Sequence, residues 1–266
     1  MRRITMLVAI GLLVAPALVQ ADGGGFDEEL FETFLEARVG TGEPVYWYSI
    51  GEVWSYPDGE LLAMMEGIDT ARLVRDEADP HTAYQLSRKT FVYRDPETNE
   101  IFREVDGKKA THIKYPYQYI TYTLEGDQLL TSVEQGSGAR LRKMGPMDTM
   151  VAQRLGDVAQ FSAPLFLNFE TPRGKYEAFE HYDFFIQPDG TMPNQLSWLR
   201  YGDLPPFLGP GRTVIHLVGW RVDSFDALPD TIKEWIETDA QLWRQPPEDV
   251  DEIRELQQPQ ETKTPS

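Results

Sequence analysis

Residues 83–124, AYQLSRKTFVYRDPETNEIFREVDGKKATHIKYPYQYITYTL, decide the fold class of this chain. Residues 84–94 alternate between the two faces of an extended strand, and one face carries Gln85, Ser87, Lys89, Phe91 and Tyr93. Residues 95–99 predict a reversal, because Pro96 presets φ and Asn99 tolerates a positive φ. We expect residues 100–105 to return as the partner strand. Residues 117–124 are rich in aromatic and β-branched side chains and predict a further strand.

Similar strand-like segments, separated by turn signals, continue on both sides of this hairpin. They are residues 45–56, 61–66, 70–75, 128–134, 158–170, 176–187, 196–201 and 212–222. Helical spacing occurs mainly near the ends, at residues 26–38 and 228–242, with one or two further helical turns possible at 147–155. We therefore predict a mainly β protein: an antiparallel, strongly curved sheet or closed barrel, lipocalin-like or similar, with N- and C-terminal helices covering an opening or an edge.

The N-terminal residues predict export. Arg2 and Arg3 precede an apolar run, and small residues at Val19 and Ala21 favour cleavage after residue 21. The alternatives are a retained membrane anchor or a buried core helix. We expect a signal peptide over residues 1–21, a single domain over 26–245, and a flexible polar tail over 246–266. The mature protein would be periplasmic or secreted, without stable membrane insertion.

The composition excludes several classes of protein. No cysteine is present, so disulfides and thiolate chemistry are excluded, and the spacing of the four histidines indicates no metal site. A formal charge of −18 argues against nucleic acid as a partner. No motif predicts a cofactor, and the sequence indicates no oligomeric state.

Three residues are candidates for acid–base chemistry. His216 lies in an apolar strand, where its pKa could be perturbed, and the competing interpretation is a neutral core histidine. Arg200 shares a strand face with Trp198 and could clamp a carboxylate, or it could simply pair with an acidic residue. His181 shares a face with Asp183 and is a third possible catalytic residue.

The aromatic residues suit either a packed core or a pocket for a hydrophobic or aromatic small molecule. As pocket residues we select Trp198, Trp220, Trp54 and Tyr119.

A series of motifs over residues 43–247 resembles an uncharacterised family, domain-of-unknown-function family 1838. In order, the motifs are Trp54 with Tyr56-Pro57-Asp58-Gly59, Glu66-Gly67, residues 93–100 (YRDPETNE), Ser197-Trp198-Leu199-Arg200, Pro205-Pro206 with Gly209, His216 with Gly219, Leu228-Pro229 and Pro246-Pro247. The resemblance implies an exported protein and brings no known activity.

Three functional hypotheses follow. The first is an exported barrel that binds a small hydrophobic or aromatic molecule. The second is an acid–base enzyme on the same scaffold (a lyase, isomerase or hydrolase), which requires His216 and Arg200 to share one cavity. The third is an envelope structural or interaction protein, which requires an exposed apolar patch and no deep pocket.

Overall fold

The chain folds into a closed antiparallel barrel of ten strands, as the alternation of its strands predicts. The computed structural model describes residues 24–137, 140–171 and 174–257. The signal peptide predicted for residues 1–21 lies outside the described residues. Around the barrel the strands follow the order β1, β12, β11, β10, β9, β8, β7, β6, β3, β2, and β2 closes onto β1. Closure pairs every strand of the sheet and leaves no free edge.

The barrel strands are long, and the helices lie toward the two ends of the chain. The strands are β1 (Val45–Tyr56), β2 (Leu61–Arg75), β3 (Thr82–Arg94), β4 (Glu104–Val105), β5 (Lys108–Lys109), β6 (Ile113–Glu125), β7 (Gln128–Ser137), β8 (Arg140–Leu155), β9 (Val158–Thr171), β10 (Gly174–Ile186), β11 (Gln195–Asp203) and β12 (Arg212–Val222). The α-helices are α1 (Glu28–Val39), α2 (Asp230–Asp239) and α3 (Val250–Gln257), and short 3-10 helices occupy Pro206–Leu208, Phe225–Ala227 and Gln241–Arg244.

The central hairpin pairs differently from the prediction. β3 pairs with β6, whereas residues 100–105 contribute a single bridge, between Arg94 and Ile101, and then a small separate hairpin of β4 and β5. The turn itself is as expected: the Asp95 carboxylate accepts hydrogen bonds from the backbone N–H groups of Glu97 and Thr98, and Asn99 has φ 61°. Asp95 therefore stabilises the turn.

Two segments that the sequence predicted as breaks or helical turns are continuous strand. β2 runs through Gly67, Ile68 and Asp69, which the prediction places as a turn between two strands at 61–66 and 70–75. Gly67 is needed there because a Cβ atom would lie 2.2 Å from the carbonyl oxygen of Thr90 on β3. Residues 147–155, expected as helical turns, belong to β8.

Helix α1 closes one end of the barrel. Asp27 caps its N-terminus by accepting a hydrogen bond from the N–H of Leu30 at 2.7 Å. Its apolar side chains pack among inward-facing residues of most barrel strands, in one cluster that includes Phe34, Tyr122, Phe161 and Phe184. The Phe34 ring lies 5.2–5.9 Å from the rings of those three residues. This aromatic cluster is the main core of the protein.

The C-terminal helices α2 and α3 cover part of the outer surface of the barrel. Residues of α2 pack with Tyr46, Tyr48 and Ile68 on the outer faces of β1 and β2. The tail that we predicted from residue 246 contains α3, whose Ile253 is buried beside Leu86 and Tyr117. The sequence signal was weak because α3 has only eight residues and Ile253 is its one buried side chain.

Candidate functional site

A cavity of about 600 Å³ occupies the barrel interior, above the core closed by α1. Its wall consists of inward-facing side chains of β1, β2, β3, β6, β7, β10, β11 and β12, and its rim includes Gly174, Lys175 and residues 204–206. This volume lies within the range of small-molecule sites in proteins, which is about 300–1,000 Å³. The cavity is therefore large enough for a small organic ligand.

Aromatic side chains dominate the wall. They are Trp47, Phe91, Tyr93, Tyr115, Tyr176, Tyr182, Phe184 and Trp198. Burial raises the pKa of Tyr93 and of Tyr182, so both phenols are neutral at physiological pH. The aromatic rings offer a ligand apolar, polarisable contacts, and the tyrosines add hydroxyl groups at a few positions.

Glu180 organises the polar groups on the β10–β11 side of the cavity. Its Oε2 atom accepts hydrogen bonds from the Tyr182 hydroxyl at 2.9 Å and from Trp198 Nε1 at 3.4 Å. Its Oε1 atom lies 3.7 Å from Arg200 Nε. Arg200 in turn donates to the Tyr176 hydroxyl at 3.0 Å. Burial acts against the charge of Arg200, but Tyr176 and Glu180 outweigh it and raise the pKa of the guanidinium. This side is a fixed, charge-balanced wall.

A second polar group lies at the inner end of the cavity, where α1 meets the barrel. Arg38, at the end of α1, is 2.5 Å from Asp69 of β2, and both side chains are 9% exposed. Lys89 of β3 lies 3.8 Å from the same carboxylate. Burial lowers the pKa of Arg38, but the coulombic attraction of Asp69 and its hydrogen bond outweigh that effect and raise it. One carboxylate thus serves two cations.

Tyr122 lies beside Arg38 and Asp69, but its hydroxyl bonds to a different residue. Its hydroxyl donates to Gln85 at 2.8 Å. Burial raises the pKa of Tyr122 to about 12, although the nearby Arg38 charge acts in the opposite direction. Gln118 and Gln135, bonded to each other at 2.6 Å, supply further polar atoms on the cavity lining.

Two of the residues selected from sequence line the cavity. Trp198 and Arg200 share one face of β11, as their spacing predicted, and the structure turns that face inward. Trp198 offers its indole to the interior, while Arg200 is held by Glu180 and Tyr176.

The structure does not bring the histidines to the cavity. His216 is exposed on the outer face of β12, where its Nε2 atom lies 3.1 Å from Ser197 Oγ. His181 is also on the outer face, 2.8 Å from Ser162 Oγ and 3.9 Å from Asp183. The shared cavity that we required for His216 and Arg200 is therefore not formed, because the two side chains lie on opposite faces of the barrel wall.

The other three aromatic candidates also face outward. Trp220 is 37% exposed and packs edge-on against Tyr48. The Trp54 indole donates to Glu52 at 3.3 Å on the outer surface. Tyr119 stacks on Tyr84, with ring centroids 5.5 Å apart, beside the cluster under α3. Each lies on a strand that also carries inward-facing residues, but at a position whose side chain points to the opposite face.

The charged residues Arg38, Asp69, Lys89 and Glu180 line the cavity but were not selected from the sequence. A signal was present for Lys89, which shares a face with Phe91 and Tyr93 in the alternation of β3. A charged residue on the apolar face of a strand indicates a buried polar site. Asp69 gave no such signal, because its segment reads as a turn.

Metal and membrane features add no further site to the described part of the chain. Among residues 24–137, 140–171 and 174–257, no three histidine or acidic side chains cluster so as to hold a metal ion. Within the same residues, no helix is both long enough and apolar enough to cross a membrane.

Comparison with known proteins identifies a family and no closer relative. No curated protein matches this chain, and no solved structure does. A family model described as a protein of unknown function (DUF1838) matches residues 42–259, which include all twelve strands together with α2 and α3. The chain therefore belongs to the DUF1838 family.

Proposed function

We propose that this protein binds a small hydrophobic or aromatic molecule inside the barrel, and that it does so as an exported protein in the periplasm or outside the cell. The observation that carries the proposal is the cavity of about 600 Å³ with its aromatic wall. A packed interior would have argued against binding. Export is supported by the signal-peptide pattern of residues 1–21.

The architecture favours a preformed site. The strands that bear the wall are joined in one closed barrel, and α1 fixes the inner end. Glu180 is the shared partner of Tyr182, Trp198 and Arg200, so these side chains are oriented before a ligand arrives. Preorganisation of this kind reduces the entropy lost on binding.

The two other hypotheses have less support. The acid–base enzyme relied on His216 and Arg200, which lie on opposite faces of the wall. An interaction protein has some support from exposed apolar side chains on the outer faces of β9, β11 and β12, including Phe166, Leu199 and Val218. That hypothesis also required the absence of a deep pocket, and the barrel has one.

A titration with N-phenyl-1-naphthylamine, a neutral fluorophore with a naphthalene and a phenyl ring, tests the proposal. We expect saturable binding to the wild-type protein at one site, with the fluorescence increase typical of a dry environment. Trp198→Ala removes an indole from the wall, and we expect it to weaken binding at least about fivefold, or about 1 kcal/mol. Trp220→Ala is the matched control, because this indole lies on the outer face. Equal effects of the two substitutions, or no saturable binding, would refute the proposed site.

A further inference from the structure

The ionisable side chains that line the cavity carry one more positive than negative charge. Among the described residues they are the cations Arg38, Lys89, Lys175 and Arg200 and the carboxylates Asp69, Glu180 and Asp203. The excess is unusual in a chain with a formal charge of −18. A cavity with this sign attracts an anion even though the protein as a whole repels one.

The excess charge is located at the inner end of the cavity. At the rim, Lys175 pairs with Glu177 at 2.5 Å and Asp203 pairs with Arg212 at 2.8 Å. On the β10–β11 side, Arg200 is balanced by Glu180. What remains is Asp69 between two cations, Arg38 and Lys89.

Both cations retain unused hydrogen-bonding capacity. Arg38 Nη1 is buried and has no hydrogen-bond partner within the described residues. Lys89 Nζ makes no hydrogen bond to those residues either; it lies 3.8 Å from the Asp69 carboxylate and 5.9 Å from the centroid of the Tyr182 ring. Leaving the buried Arg38 donor without a partner is unfavourable, and a hydrogen bond to a ligand oxygen would remove that cost.

The neighbouring groups limit the charge of the ligand. Within the part of the chain that the structure describes, the Oδ1 atom of Asp69 is also buried without a hydrogen-bond partner, and its negative charge would repel a second anionic group. Phe91, Tyr182 and Trp198 line the same cavity. These contacts suit an apolar or aromatic body that ends in one negatively charged oxygen group.

We propose that the cavity selects an organic monoanion, whose oxyanion group is bound by Lys89 and Arg38 at the inner end and whose apolar body contacts the aromatic wall. This inference rests on the proposed function, because it assumes that the cavity is the binding site. It names the chemical class of the ligand: an aromatic or aliphatic carboxylate or a similar singly charged oxyanion.

Two dyes with the same rings separate charge recognition from apolar binding. 1-Anilinonaphthalene-8-sulfonate carries one negative charge, and N-phenyl-1-naphthylamine is its neutral counterpart. We expect Lys89→Met, in the full-length protein, to weaken binding of the sulfonate at least about tenfold and to change binding of the neutral dye less than about threefold. Lys175→Met is the matched control, because Lys175 also lines the cavity but pairs with Glu177 at the rim. We expect it to change neither affinity more than about threefold.

A competition experiment on the wild-type protein does not depend on the folding of a variant. Naphthalene-2-carboxylate and naphthalene-2-carboxamide would each displace the neutral dye, and we expect the carboxylate to do so at a concentration at least about tenfold lower. Equal potency of the two, or equal effects of Lys89→Met on both dyes, would overturn the monoanion inference while the proposed function stands. If the wild-type protein binds neither dye, the proposed function fails and this inference fails with it.

Discussion

The aromatic core at the closed end offers the sharpest test of how the barrel is stabilised. Phe34 of α1 is 1% exposed, and its ring contacts the rings of Phe26, Tyr122, Phe161 and Phe184 at centroid distances of 5.2–6.5 Å. Truncating a buried phenylalanine to alanine costs about 3–5 kcal/mol, because transfer energy is lost and a cavity remains. With four ring contacts we expect Phe34→Ala to cost about 4 kcal/mol, the middle of that range.

Urea denaturation, followed by far-UV circular dichroism, measures this effect. With an m-value of about 2.5 kcal/mol per molar, a loss of about 4 kcal/mol lowers the midpoint by about 1.6 M. Phe166→Ala is the matched control, because Phe166 is 80% exposed on the outer face of β9. We expect it to cost about 0.5 kcal/mol or less. A cost below about 1 kcal/mol for Phe34→Ala, or equal costs for the two substitutions, would refute the assignment of α1 as the helix that closes the barrel core.

Two further predictions concern charges outside the cavity. Arg94→Met leaves the Glu66 carboxylate, 2.5 Å away and 2% exposed, without its cation, and we expect the free energy of unfolding in urea to fall by about 3–5 kcal/mol. Arg154→Met, in an exposed ion pair, should lower it by about 1 kcal/mol or less. Similar losses for the two variants would contradict the burial argument. Burial lowers the pKa of His112, whose Nδ1 atom accepts a hydrogen bond from the Tyr93 N–H at 3.3 Å. The unfolded chain therefore binds a proton at a higher pH than the folded chain does, and the free energy of unfolding falls as the pH drops below about 6.5. His112→Asn should make the free energy of unfolding less dependent on pH between about pH 7.5 and 5, and an unchanged pH dependence would contradict this role of His112.

The barrel was predictable because the strand alternation is strong where one face meets the interior. In β3 the five residues assigned to one face from sequence include Lys89, Phe91 and Tyr93, which line the cavity. The helical spacing of residues 26–38 also gave α1 to within two residues. Both patterns arise locally, from one element that faces one core.

The sequence pattern of β12 did not show which of its faces points into the barrel. Its segment Val214-Ile215-His216-Leu217-Val218 is apolar on both sides of the histidine, so a period of two does not show which side is inward. The structure places Ile215 and Leu217 inside and exposes His216 and Val218. The choice depends on register with β1 and β11, and a shift of one residue reverses it.

The charged group at the inner end depends on distant parts of the chain. Arg38, Asp69 and Lys89 come from α1, β2 and β3: Asp69 and Lys89 face each other across the β2–β3 pair, and packing of α1 against the barrel adds Arg38. Asp69 was not recognised as a strand residue because the nearby Gly67 is typical of a turn. In the structure Gly67 instead permits the close approach of β3. Long-range pairing of this kind leaves no local signature.

The most direct test of ligand binding is native mass spectrometry of the wild-type protein purified from its own cells under gentle conditions. We expect a population heavier than the polypeptide by the mass of one organic molecule, and a smaller bound fraction in Trp198→Ala. N-Phenyl-1-naphthylamine added to a parallel sample shows whether a cavity ligand survives the measurement. A bare polypeptide mass under conditions that retain the added dye would contradict the claim that this barrel carries a small molecule in the cell.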